Sequence, residues 1–192
     1  EERISLIKAS LRANRERLID SFPHFKHLAD LATVFIKEPA SMVYLDEQFL
    51  IDIIVWYHIA WLGETVRRND VRVKALMKKG GMFSLKDRRH LLEVINELLG
   101  SVINRYRALE ERGQIELSMT PYAHPMAPLL IDFESVRESM PGSPLPQAEN
   151  YPGGIERVHW HVKEGLKIFK HYFGITPKGC WPAAGGVSDS MI

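Results

Sequence analysis

Three short stretches concentrate the residue types that do chemistry. Gly113-Gln114-Ile115-Glu116-Leu117 carries a carboxylate. Pro121-Tyr122-Ala123-His124-Pro125 carries a phenol and an imidazole between two prolines. Gly179-Cys180-Trp181-Pro182-Ala183-Ala184-Gly185-Gly186-Val187-Ser188 carries a thiol and an indole. Glu116 alternates with Ile115 and Leu117, so it points to the other face of a strand. If the apolar side meets helices, Glu116 points inward, where a lone carboxylate must be paired or functional; if that face is open, it is an ordinary surface carboxylate. His124 is either a loop histidine held rigidly or a solvated one. Trp181, next to Pro182, is either a flat platform for a sugar ring or a core indole.

Other groupings offer less. His159 and His161 are two apart on a helical stretch and face apart. His24 and His27 share a face, with no third ligand evident. Both pairs read as structural or solvated, and no metal is expected. Cys180 has no His/Asn arrangement beside it and falls on a strand, so a buried, inert thiol is expected. Gly80-Gly81 follows a helix rather than a strand and is not a phosphate-cradling loop. No cofactor is expected.

The 192 residues are 45% apolar and 26% charged, a globular balance that excludes a disordered chain. With 25 basic and 24 acidic residues and no basic stripe, nucleic acid is not an expected partner. No uncharged apolar run reaches about 18 residues, so no membrane span is expected. One cysteine excludes a disulfide framework and a cysteine-rich zinc site. No leader pattern is visible, so a cytoplasmic rather than a secreted location is expected. The chain opens directly into a helical pattern and stops at Ser190-Met191-Ile192, where another helix is starting. A segment of a longer chain is therefore expected.

The elements that position these stretches are set by periodicity. Residues 3–20 read as an amphipathic helix, broken at Phe22-Pro23. A second helix covers 23–36 and ends at Pro39. Residues 45–63 are apolar around nearly the whole circumference, which places that helix in a core, with Asp52 and His58 needing partners if buried. A basic helix comes next at about 70–79. Ser84-Leu85-Lys86-Asp87 resembles a capping box and opens a long helix that stops at Gly113. The period then changes to two over 114–120, a strand closed by Pro121. Proline-rich chain comes after it, interrupted by a short helix at about 133–139. A helix over about 154–173 is capped by Gly174, and 177–182 reads as a second short strand. Strand, crossover helix, strand implies a parallel pair. Two such strands are not a stable sheet alone, so either helices carry the fold or more strands lie outside this stretch. Loops at the carboxyl ends of parallel strands are where barrel proteins build active sites, and the second and third stretches sit there.

The sequences GQIEL, TPYAHPMAPLL and GCWPAAGGVS, in that order after a long helix, resemble glycoside hydrolase family 57. LIDIIVWYHIAWLG (Leu50 to Gly63) and KGGMFSLKD (79–87) look like the helical insertion of that family. The resemblance covers the chain from about residue 40 to the end and is looser before. It implies an α/β fold: the helix-rich portion of an incomplete (β/α)7 barrel, with few parallel strands and a large helical insertion. About 1–112 would be the insertion and about 113–192 the barrel strands, loops and helix. It also implies action on α-glucans of the amylase and amylopullulanase type, with retention of configuration.

Similar family members carry Tyr-Tyr-His-Pro where this chain has Tyr122-Ala123-His124-Pro125. They carry Trp-Pro-Ser-Glu-Gly or Trp-Pro-Ala-Glu-Gly where it has Trp181-Pro182-Ala183-Ala184-Gly185. The Glu of that motif is the family's nucleophile, and it falls on Ala184. The acid/base Asp and the His-Gln-Pro strand of the family would lie outside residues 1–192, as would the remainder of the barrel. The resemblance implies that the chain as written is inactive. Glu116, Tyr122, His124 and Trp181 are expected to line one glucan-binding cleft. Two other readings stay open: a non-catalytic α-glucan-binding protein, and a mainly helical interaction module.

Overall fold

A computed structural model describes residues 1–191, and the chain divides into two units, Glu1–Gly100 and Ser101–Ile192. The first unit is helical. α1 spans Glu2–Ser10, and the single helix expected over 3–20 is interrupted after it. A π-type turn, Arg15–Ile19, comes next, opened by Asn14, whose side chain accepts the Arg17 N–H at 2.8 Å. Asparagine favours such a local cap over continuing a helix, which is why the break falls there. α2, Pro23–Lys37, starts with proline in its first turn, where the missing N–H costs nothing. A 3-10 segment, Pro39–Tyr44, leads to α3, Glu47–Trp61.

α3 carries the core of this unit, as its all-round apolar pattern requires. α1 and α2 pack on it, and Phe25, Ile7, Ile19, Ile53, Ile59 and Phe83 are fully buried. Its one buried charge is answered. Asp52 accepts from Gln48 Nε2 at 2.8 Å and from the Met82 and Phe83 N–H groups at 2.7 and 3.0 Å, which ties the 80–83 turn to the helix. The Trp56 indole N–H donates to the Gly80 carbonyl at 2.8 Å from one turn further on. His58 stays exposed. α4, Glu64–Asn69, was not anticipated, and α5, Val71–Lys79, lies directly after it. The capping box is present: Asp87 N–H donates to Ser84 Oγ at 3.3 Å, and Ser84 N–H donates to Asp87 Oδ2 at 2.7 Å. It opens α6, Leu85–Glu111, inside which the boundary between the units falls.

The second unit is built on a parallel strand pair. β1, Ser118–Met119, pairs with β2, Gly179–Cys180, with Ser118 opposite Gly179 and Met119 opposite Cys180. The expected strands over 114–120 and 177–182 are thus reduced to their centres. Pro121, Pro177 and Pro182 supply no ladder donors, and among the described residues β1 pairs with β2 alone. The alternation itself survives: Ile115 and Leu117 are half-buried and Met119 buried, while Glu116, Ser118 and Thr120 are exposed.

Between the strands run α7 (Ala127–Ile131), a 3-10 turn (Phe133–Ser135), α8 (Val136–Ser139) and α9 (Gly154–Phe173). α7 was not anticipated. α9 has the expected bounds and ends on left-handed Gly174 (φ 75°). It lies close against β1. A Cβ on Gly165 would stand 3.1 Å from the Tyr122 nitrogen, 3.2 Å from Met119 Sδ and 3.3 Å from the Thr120 oxygen. The strand–helix–strand order is the expected parallel crossover, in a mostly helical chain; a seven-stranded closed barrel is not present in the described residues.

Candidate functional site

At its carboxyl end β1 hands the chain to Pro121–Pro125, and α9 holds the first part of that loop. The Tyr122 N–H donates to the His161 carbonyl at 2.9 Å. The Tyr122 carbonyl accepts in return from His161 Nδ1 at 2.6 Å; a carbonyl only accepts, so Nδ1 carries the ring proton. The Tyr122 ring meets Trp160 edge-on, with centroids 5.5 Å apart at 83°.

The backbone then enters the left-handed region at two non-glycine residues, Ala123 (φ 56°) and His124 (φ 55°). Each such residue costs about 1–2 kcal/mol and persists only when its surroundings enforce it. β2, at its own carboxyl end, leads to Trp181 and a 3-10 turn, Ala183–Gly185. Ala184 in that turn is again left-handed (φ 52°, ψ 19°). The Ala184 N–H donates to His124 Nε2 at 3.1 Å. Two loops sixty residues apart in sequence therefore meet through one imidazole.

The other sequence-derived residues take distinct places. Trp181 is 64% exposed, so the core-indole alternative does not hold. Its N–H donates to the Met119 carbonyl at 2.7 Å, extending the ladder and fixing the start of the 183–185 turn. Tyr122 is 42% exposed. Glu116 is exposed, stands before β1 at its amino end, and makes no side-chain hydrogen bond among the described residues. Tyr122, His124, Trp181 and Ala184 lie at the carboxyl ends of the pair. An open apolar cavity of about 420 Å³ is lined by Tyr106, Leu117, Met119, Tyr122, Phe169 and Tyr172, among others, but not by Glu116, His124 or Trp181. Cys180 is exposed rather than buried, because a two-residue strand with one neighbour covers little of its own side chains; partial dehydration still pushes its thiol pKa up. No group of three His, Cys, Asp or Glu side chains able to hold a metal occurs among the described residues.

Sequence reasoning read His159 and His161 as structural or solvated rather than as metal ligands, and missed His161 and Trp160 as supports of the loop. A signal was available. Val158, His161, Gly165 and Phe169 recur at three- and four-residue spacing, and this is the face that α9 turns toward β1. A histidine on the inward face of a helix beside a strand end has backbone groups within reach.

The chain belongs to glycosyl hydrolase family 57, whose family model matches residues 15–192. No curated protein and no solved structure matches it. The family makes glycoside hydrolysis the reaction class and a carbohydrate the substrate class. No helix among the described residues is long and apolar enough to cross a membrane.

Proposed function

We propose that this chain is part of an α-glucan-active retaining hydrolase of the amylase or amylopullulanase type, with Ala184 at the position of the nucleophile. The observation that carries the reading is the meeting of the two motif loops at the strand ends, His124 Nε2 against the Ala184 N–H at 3.1 Å. In this reading β1 and β2 are two strands of a (β/α)7 barrel, residues of about 1–112 are its helical insertion, and the loops after the strands face the substrate. Tyr122 and Trp181 offer ring faces to sugars and His124 hydrogen-bonds hydroxyls, while Glu116, at the amino end of β1, stands apart from this group.

Retaining hydrolysis needs two carboxyl groups about 5–5.5 Å apart. One attacks the anomeric carbon as the glycosidic bond breaks, and the other protonates the departing oxygen, then takes a proton from the water that releases the sugar. The methyl group of Ala184 has no oxygen with which to form the glycosyl ester. The chain as written then binds glucan without cleaving it, and Ala184 itself equally favours a glucan-binding protein that performs no catalysis.

The test is Ala184→Glu in a full-length protein that carries the general acid. Cleavage of maltohexaose with retained anomeric configuration supports the reading. Binding of maltohexaose without cleavage in that variant refutes the assignment of position 184 and leaves the non-catalytic alternative standing.

A further inference from the structure

We infer that His124 is a positioning residue: its Nε2 holds the left-handed backbone at Ala184, and that bond fixes its own tautomer so that Nδ1–H is the ring donor left for a sugar hydroxyl. The inference rests on the glucan-binding reading only for the identity of the ligand; the positioning bond stands on geometry alone.

The backbone around Ala184 has a gap that His124 fills. Within the turn, the Gly185 N–H donates to the Pro182 carbonyl at 3.0 Å and the Gly186 N–H to the Ala183 carbonyl at 2.9 Å. The Ala184 N–H takes neither route and goes to His124. Ala184 sits at φ 52° and Gly185 at φ 71°, two successive left-handed residues directly after an N–H that points to the other loop. A neutral hydrogen bond contributes about 1 kcal/mol, the same size as the left-handed cost of one alanine. Removing the imidazole therefore lets the turn relax toward an ordinary conformation.

His124 is itself held. Its N–H donates to the Pro121 carbonyl at 3.1 Å, and Tyr122, two residues before, is clamped on both backbone atoms by His161. Of the non-glycine residues with positive φ, Met82 lies in the first unit, while Ala123, His124 and Ala184 gather at this junction. Strain concentrated where two loops exchange a single bond marks a geometry that the surrounding structure enforces.

This bond also sets the chemistry of the ring. An N–H donor needs a lone pair opposite it, so Nε2 is unprotonated and the neutral ring carries its proton on Nδ1. A ring with Nε2 occupied in this way donates from Nδ1 and accepts from nowhere else. It therefore selects a hydroxyl that presents an oxygen, and it holds the stem of residue 184 in one direction. Any side chain placed at 184 leaves the backbone along that same line.

The experiment uses the full chain, labelled with ¹⁵N at histidine and at the backbone, near neutral pH. Imidazole nitrogen shifts should show His124 as the Nδ1–H tautomer with Nε2 as acceptor. The Ala184 amide resonance should move strongly in His124→Ala and return toward its native position in His124→Gln, whose amide oxygen reaches about where Nε2 sits. Maltohexaose binding should weaken about tenfold in His124→Ala, equal to about 1.4 kcal/mol, and stay within about threefold of native in His124→Gln, since one neutral hydrogen bond is kept. A protonated Nε2 in the native spectrum, or an Ala184 amide that ignores His124→Ala, overturns the inference. So does His124→Gln binding as weakly as His124→Ala. If the alanine variant does not fold, the native tautomer decides. An intact spectroscopic signature without maltohexaose binding supports the bond and refutes the glucan reading; binding without the signature does the reverse.

Discussion

Replacing Asp52 with asparagine changes one atom's chemistry and almost no volume, in a place where the structure specifies what that atom must do. The Asp52 side chain is buried and acts only as an acceptor: Oδ2 takes the Met82 N–H at 2.7 Å, and Oδ1 takes the Phe83 N–H at 3.0 Å and Gln48 Nε2 at 2.8 Å. An asparagine must turn its NH₂ toward one of these sets. In either orientation a donor faces a donor. The cost has two parts, an unsatisfied buried N–H worth about 1–3 kcal/mol and the loss of charge from the bonds that remain, about 1 kcal/mol more. Relaxation of the Gly81-Met82 turn returns part of this, which leaves about 2–4 kcal/mol. That is a large share of the stability of a domain, about 5–15 kcal/mol in total. Urea unfolding followed by far-ultraviolet circular dichroism measures it, with an unchanged slope and a lower midpoint expected. In thermal unfolding the midpoint should fall by about 5–15 °C. A loss below about 1 kcal/mol would show that the 80–83 turn does not depend on this carboxylate, and the account of how α3 is tied to it would fail.

Two further outcomes are expected. Asp87, paired with Lys79 and bonded to Ser84, has its pKa lowered to about 2. A depressed carboxyl stabilises the fold above its unfolded value of 3.8 and loses that contribution as pH falls through about 2. After allowance for the exposed lysine, Asp87→Asn should cost about 1 kcal/mol at neutral pH. The gap between the two proteins, read by urea unfolding, should narrow as the solution approaches pH 2–3, and a gap that is constant with pH would remove the ion pair from the explanation. Trp181 is 64% exposed. One ring face against a sugar covers on the order of 80 Å² of apolar surface, about 2 kcal/mol, so Trp181→Ala should weaken maltohexaose binding about thirtyfold. Calorimetry that finds binding within a factor of about two of native would show that the indole is not a platform.

The parts of this fold that could be read from the sequence were those governed by local chemistry. The bounds of α9 are set by its apolar spacing and by Gly174, and the start of α6 is set by Ser84 and Asp87. The parallel pairing of β1 with β2 is implied by a helix between two short strands. Local chemistry also misled. The apolar spacing over 3–20 continues smoothly past the point where Asn14 caps a new turn, and nothing in that spacing reveals the cap. The strand lengths were overestimated because alternation reports which face is covered, not how far a backbone ladder runs: Leu117 keeps one bond, its carbonyl accepting the Lys178 N–H at 3.3 Å, and beyond it the half-covered Ile115 takes no part in the ladder among the described residues. At the candidate site, the motifs singled out His124, Trp181 and Ala184 but could not supply the bond between His124 and Ala184. That bond depends on left-handed backbone at both ends, and alanine and histidine carry no sequence signal for it. The exposure of Trp181 and Cys180 was hidden for a similar reason: burial at a strand end depends on what packs outside the pair.

The fit of α9 against β1 at Gly165 bears on how this site can be inherited. The contact is made by a helix position with no side chain against the Tyr122 nitrogen, the Thr120 oxygen and the Met119 sulfur. At this point the registration of the loop depends on backbone meeting backbone, with Met119 the one side chain of the three neighbours, beside the hold that His161 and Trp160 keep on Tyr122. Residues on the outer face of α9, such as His159, Lys163 and Lys170, can be exchanged through generations without moving Tyr122 or the left-handed turn beyond it. A single methyl group at 165 is different, because it pushes directly on the residue that introduces the His124 turn. The tolerance of this helix to mutation is therefore sharply uneven, and a lineage that kept its fold would be expected to keep that glycine longer than the residues on the outer face of α9.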